Sequence, residues 1–146
     1  EPLLATMARD HPLAAKPQVS EGALAGVGIL SLGPGYTLHD QVLALARNYG
    51  AHVLRDYEGT SLDALRAMTA MGMGVSLLPA LYVRSEIAPR ADPVSVVPFA
   101  GGRVYRTVGL VTRRNSGNER AFAALGGLVR DAVRDMAEPG VIVLSE

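Results

Sequence analysis

Three observations predict an α/β fold built on a largely parallel sheet. Short apolar runs alternate with stretches of helical period, glycines follow the periodic stretches, and turn residues separate the elements. The 146 residues suffice for one compact domain, or for one domain plus part of another. With 49% hydrophobic and 19% charged residues, the chain carries the material of a core and lacks the composition of a disordered tail.

Leu3 to Ala8 reads as the first strand. After the loop from Pro12 to Pro17, a helical turn near Ser20 to Ala25 leads into a second strand, Gly28 to Leu32, which Gly33-Pro34-Gly35 ends. Leu38, Val42, Leu45 and Tyr49 recur at steps of four, three and four, so a helix from Thr37 to Tyr49 buries one face, and Gly50 closes it. Val53 to Glu58 is the next strand. Leu62, Leu65 and Met68 mark the buried face of a second helix, bracketed at its exit by Gly72 and Gly74. Val75 to Leu78 has strand character up to Pro79, Leu81 to Glu86 suits a short helix, and Pro89 and Pro93 mark a loop. Val94 to Phe99 and Val104 to Val111 are expected strands on either side of Gly101-Gly102, as a hairpin or in different sheets. The last helix, Asn118 to Met136, carries Phe122, Leu125, Val129, Val133 and Met136 along a stripe that needs a surface to cover. Pro139-Gly140 breaks it before a short strand or frayed end at Val141 to Leu144.

Composition excludes several functions. Fourteen basic and fourteen acidic side chains cancel, leaving no overall basic footprint for phosphate, so any DNA contact is expected outside this segment. The absence of cysteine excludes disulfides, thiolate metal sites and thiol redox chemistry from this chain. His11, His39 and His52 lack metal-ligand spacing, and His39 reads as part of an exposed helix turn beside Asp40; neither metal nor cofactor is expected. There is no G-x-S-x-G elbow and no phosphate loop, and Gly72-Met73-Gly74 precedes a strand instead of opening a helix, so the chain does not read as an enzyme. Met68, Met71 and Met73 read as core or subunit contacts, and Arg113-Arg114 as a solvated pair. Glu1 and Asp10 interrupt any signal-peptide pattern, and a start without Met reads as trimmed. The longest uncharged stretch, Ala67 to Val83, splits into helix end, turn and strand and not a bilayer span. The default expectation is a soluble, cytoplasmic protein without membrane contact.

One place has the grammar of a ligand site. Thr37 with Asp40, and Thr60 with Asp63, each fit a capping box after a strand and a glycine-containing turn. In a parallel sheet both helices start beyond the carboxyl ends of neighbouring strands, so their free N–H groups converge on one crevice suited to a small polar or anionic ligand. Tyr36, Thr37, Thr60 and Ser61 supply hydroxyls there. The plain alternative is two ordinary caps, each contributing about 1 kcal/mol to its helix. Asp40 and Asp63 add negative charge that opposes an anion.

Leu32 to Gln41 (LGPGYTLHDQ), Gly59 to Leu65 (GTSLDAL) and Met71 to Ala80 (MGMGVSLLPA) resemble the effector-binding domain of LysR-type transcriptional regulators, especially its OxyR branch. His11 to Ala14 and Thr107 to Arg113 fit the same pattern, so the resemblance covers nearly the whole chain. It implies a periplasmic-binding-protein-like (type 2) architecture: residues 1–106 as the second lobe, 107–146 as the strand and helix returning to the first lobe, and a DNA-binding domain outside this chain. It further implies a homodimer or tetramer, with the helix from Ser61 to Gly72 at the subunit contact, and promoter DNA bound through that other domain. The peroxide-reactive cysteine of the OxyR branch corresponds to Thr37 and its partner to Ala46, so the disulfide switch is absent here. Tyr36, Asp40 and Arg106 match positions around the reactive thiol, and Arg106 either contacts an anion or forms a surface salt bridge. Alternative readings are a ligand-independent dimerisation platform, a solute-binding protein of similar fold, and a prephenate-dehydratase-like enzyme domain. Without the rest of the first lobe, the stripe on the last helix is expected to drive self-association, strand exchange or disorder beyond Thr107.

Overall fold

A computed structural model describes residues 1–89, 93–102 and 104–144. The strands are β1 (Leu3–Ala8), β2 (Gly28–Leu32), β3 (His52–Gly59), β4 (Val75–Pro79) and β5 (Val94–Val97). They form one sheet in the order β3-β2-β4-β1-β5. The expected parallel character holds for β3, β2 and β4, whereas β1 runs antiparallel to both β4 and β5. The helices are α1 (Thr37–Tyr49), α2 (Leu62–Ala70), the short α3 (Ala80–Tyr82), which continues as a π-helical turn (Val83–Ile87), and α4 (Glu119–Met136). A 3₁₀ turn spans Glu21–Leu24 and another Ala100–Gly102.

Two hydrogen bonds place the major helices on opposite faces of the sheet. Ser76 pairs with Leu30 across the ladder, so its side chain shares the face of Leu30, and it bonds Thr69 of α2. Ser31, next along β2, points to the other face and meets His39 of α1. Covering both faces is why β2 and β4 read as continuous apolar runs. Leu38, Val42 and Leu45 of α1 are buried as their spacing predicts, and Leu65 of α2 is buried with Leu62 and Met68 packed beside it. Gly50 ends α1 at φ +69°, a conformation that a side chain would strain. On β3 a five-residue step from Val53 to Glu58 lies opposite a two-residue step from Ile29 to Ser31, so this edge strand is strongly bulged.

The chain beyond β5 departs from expectation. Val94 to Phe99 narrows to Val94–Val97, and Phe99 instead bridges Val19. Val104 to Val111 forms neither a strand nor a hairpin arm; Val104 to Arg106 lie against Glu1 to Leu3, and Thr107 to Val111 continue without a sheet partner. Val108, Leu110 and Val111 are exposed, since β propensity makes no strand where no edge is offered. Val141 to Leu144 is likewise not a strand, and part of the Pro89–Pro93 loop and residues 145–146 lie outside the described residues. Helix α4 forms as expected but contains no fully buried residue: Phe122, Val133 and Met136 of its stripe are partly covered, while Leu125 and Val129 stay exposed. Among the described residues no helix is long and apolar enough to cross a membrane.

Candidate functional site

The carboxyl ends of β2 and β3 bring the two helix starts together. Leu32 pairs with Gly59, the Gly33 N–H donates to the Gly59 carbonyl at 3.2 Å, and the Tyr36 hydroxyl donates to the Thr60 carbonyl at 3.3 Å. Tyr36, Thr37, Thr60 and Ser61 are all exposed, so they form a shelf and not a closed pocket.

Neither capping box exists as spaced. Thr37 is the first helical residue of α1, and the residue at the cap is Tyr36, whose long phenol reaches across to Thr60 and leaves no side-chain oxygen for the helix amides. Thr60 lies one position before the cap of α2. Ser61 takes that role from an extended backbone, its Oγ accepting the Ala64 N–H at 3.1 Å. Of the four hydroxyls, Ser61 alone serves as an ordinary helix cap. At α1 the His39 N–H turns back onto the Tyr36 carbonyl at 2.9 Å, and no cap side chain bonds the leading amides at the positive end of the helix dipole.

Carboxylates flank the shelf. Asp63 accepts a hydrogen bond from the Tyr82 hydroxyl at 2.6 Å. Desolvation, reinforced by that bond, pushes the Tyr82 phenol up to about 12, while Arg66 opposes the shift. Asp40 is exposed in the first turn of α1, and Glu58 Oε2 lies 3.4 Å from where a Cβ on Gly33 would stand. Three carboxylates beside two helix ends favour a polar ligand with little net negative charge over a multiply charged anion.

His39 is not the exposed residue expected. Its Nδ1 lies 2.7 Å from the Leu32 carbonyl and 3.2 Å from Ser31 Oγ. A carbonyl only accepts, so Nδ1 carries the proton, and the ring pins the first turn of α1 to the end of β2. Its spacing from Leu32 hints at this contact, but nothing in the sequence distinguishes it from a solvated turn.

Arg106 stands apart from the other four residues. Its Nε donates to Glu1 Oε2 at 2.8 Å, while Glu1 Oε1 accepts the Leu81 N–H at 2.9 Å and the Glu1 carbonyl accepts the Arg106 N–H at 2.8 Å. The Glu1 side chain is 3% exposed, and these bonds hold it in place. No hydrogen bond or ion pair among the described residues joins Arg106 to Tyr36, Thr37, Thr60 or Ser61. Ala46 is buried on α1, nine positions from Thr37, which is about 13 Å along the helix axis. Two surface grooves, of about 270 and 440 Å³, lie elsewhere, one beside Gln41, Asn48 and Tyr105 and the other beneath Glu138 to Gly140. No group of three or more His, Cys, Asp or Glu side chains suited to a metal occurs among the described residues.

Residues 1–134 match the family described as the LysR substrate binding domain. The chain is 36% identical over 130 residues to the DNA-binding transcriptional dual regulator OxyR of Escherichia coli (strain K12), covering 89% of this chain and 42% of that protein. It is 32% identical over 124 residues to a probable hydrogen peroxide-inducible genes activator of Mycobacterium avium, covering 84% and 39%. The chain thus spans about two fifths of the length of these curated relatives. Among solved structures, the reduced form of OxyR superposes with a TM-score of 0.74 at 34% identity, over 90% of this chain and 60% of that one. The oxidised form gives 0.75 at 36% identity, over 90% and 61%. The sheet and helices described above match those of OxyR regulatory domains, of periplasmic-binding-protein-like fold.

Proposed function

We propose, from the premise that this chain belongs to the LysR substrate-binding domain family, that it is the effector-binding part of a DNA-binding transcriptional regulator which, unlike its peroxide-responsive relatives, does not work through a thiol. The observation that carries the reading is the convergence of the starts of α1 and α2, tied by the Gly33–Gly59 and Tyr36–Thr60 hydrogen bonds. The shelf binds a small polar or weakly anionic molecule through Tyr36, Thr37, Thr60 and the leading amides of α1. Ser61 holds α2 in place, and Arg106 acts from the Glu1 side if it reaches the ligand at all. With no cysteine in the chain, occupancy must be noncovalent and reversible.

An exposed shelf needs a second wall to enclose a ligand. In this reading residues 1–106 are the second lobe, and 107–146 return to a first lobe that supplies that wall and covers the stripe of α4. The exposure of Leu125, Leu128 and Val129, and the lack of any fully buried residue on α4, support this division. The regulator works as a homodimer or tetramer in the cytoplasm, meeting promoter DNA through a domain outside this chain, and has no enzymatic activity. A second reading, a ligand-independent dimerisation platform, is favoured by the absence of any shelf residue from the two grooves.

Two measurements on the full-length protein separate these readings. Promoter footprints with and without hydrogen peroxide are expected to coincide; a footprint shifted by peroxide overturns the thiol-free switch. Calorimetric titration with a small monocarboxylate and a small neutral amide is expected to show binding that Thr60→Ala weakens. Unchanged affinity in that variant removes the shelf, and the lack of any binding favours the platform.

A further inference from the structure

Arg84 joins two parts of the chain that lie 52 to 54 positions apart. Its Nη1 donates to the Met136 carbonyl at 2.6 Å and to Glu138 Oε2 at 3.1 Å. Arg84 stands on the π-helical turn Val83–Ile87, and Met136 is the last residue of α4. The last carbonyls of a helix have no partner within it, and a guanidinium there also meets the negative end of the helix dipole. The arginine therefore caps a helix that belongs to a different region of the fold.

The turn beyond that cap is strained. Ala137 adopts φ +48° and ψ +39°, the left-handed conformation that glycine normally supplies, and its N–H donates to the Arg134 carbonyl at 3.0 Å. This turn folds Glu138, Pro139 and Gly140 back over the start of the sheet. The three line a groove with Pro2, Val96 and Phe99, and a Cβ on Gly140 would stand 3.1 Å from Pro2 Cγ. Glu138 is drawn in with them, its side chain 18% exposed against 44% for Arg84. Because α4 buries no residue, contacts at this end weigh heavily in its placement.

We infer that Arg84 is a clasp. By holding the Met136 carbonyl and the Glu138 carboxylate together it stabilises the left-handed turn at Ala137. It thereby couples the Val83–Ile87 turn to the direction in which α4 leaves the sheet. Arg84 is a positioning residue: it touches no ligand-shelf residue and acts through the helix it caps.

Hydrogen exchange followed by mass spectrometry in the full-length protein tests the coupling. Arg84→Ala is expected to speed exchange over residues 134–142 by roughly threefold to tenfold, the scale of a partly exposed charge-assisted hydrogen bond. Exchange over residues 83–88 rises with it, because coupling acts in both directions. Strand amides stay as they were. Glu138→Ala, which keeps the Met136 bond, produces a smaller rise in the same two segments. Adding Ala137→Gly to Arg84→Ala restores part of the protection, because glycine adopts the turn without strain. Unchanged exchange in both segments overturns the clasp, as does a rise spread evenly over the sheet or a failure of Ala137→Gly to restore protection.

Discussion

Replacing Thr6 with valine should make this protein more stable. Thr6 lies in the middle of β1, between Ser76 of β4 and Val96 of β5, and is fully buried with no hydrogen-bond partner for Oγ1. A hydroxyl taken from water without a partner costs about 1–3 kcal/mol. Valine has the same branching and strand preference, and the methyl that replaces the hydroxyl is favourable to bury. Some of that gain is lost to tight packing, which leaves a net stabilisation of about 1–2 kcal/mol. In thermal unfolding this is a rise in Tm of about 3–6 °C, and in urea a higher midpoint at an unchanged slope. The contrasting variant is Thr69→Val. Thr69 donates its only hydroxyl proton to the Leu65 carbonyl at 2.8 Å, so Ser76 donates to Thr69 Oγ1, also at 2.8 Å. Removing that hydroxyl strands the Ser76 proton in the core and should cost about 1–3 kcal/mol. The reasoning is refuted if Thr6→Val loses 1 kcal/mol or more, for the hydroxyl would then have a partner in solution.

Three further outcomes are expected. Ser61→Ala should destabilise the fold by about 1 kcal/mol in urea unfolding, while Thr60→Ala stays within a few tenths, because Ser61 alone caps α2. Tyr82 has a pKa of about 12 when folded, above its ordinary value of 10.0, so the folded state holds the proton that the unfolded chain releases. The resulting stability is complete below pH 10 and is lost as pH rises toward 12; Tyr82→Phe should flatten that loss, and ultraviolet titration should show one late phenol. Gly74→Ala should cost about 1–3 kcal/mol by thermal melting, since the new Cβ would stand 2.8 Å from Leu54 Cδ1 and 3.0 Å from the Gly28 carbonyl oxygen.

Local patterns carried most of the fold. Leu3 to Ala8 and Gly28 to Leu32 were legible to the residue because apolar runs and turn residues act over a few positions, and the steps from Leu38 to Tyr49 fixed both α1 and its buried face. Strand direction was not legible for β1, whose reversal depends on strands much later in the chain. The strand expected at Val104 to Val111 fails for the same kind of reason: its residues favour strands, but strand formation needs a neighbour. At the ligand shelf, the convergence of two helix starts followed from strand order, whereas the hydrogen bonds themselves did not. A one-residue shift in backbone conformation decides whether Thr60 or Ser61 caps α2, and the length of the Tyr36 side chain decides that it reaches Thr60 and not its own helix. Arg106 illustrates the limit: the resemblance left an anion contact and a salt bridge both open, and only three-dimensional proximity reveals Glu1 as its ion-pair partner.

The position of β1 constrains how the polypeptide can assemble as it leaves the ribosome. Strand β1 precedes β4 and β5 in the chain yet sits between them, and its pairing of Leu3 with Pro79 spans more than seventy residues. Until those later segments have emerged, Leu3, Ala5 and Met7 have no ladder to join and remain apolar surface on a nascent chain. Closure of the sheet therefore comes late, with the slow kinetics of distant pairings, and the interval before it is when this sequence is most in need of protection from aggregation.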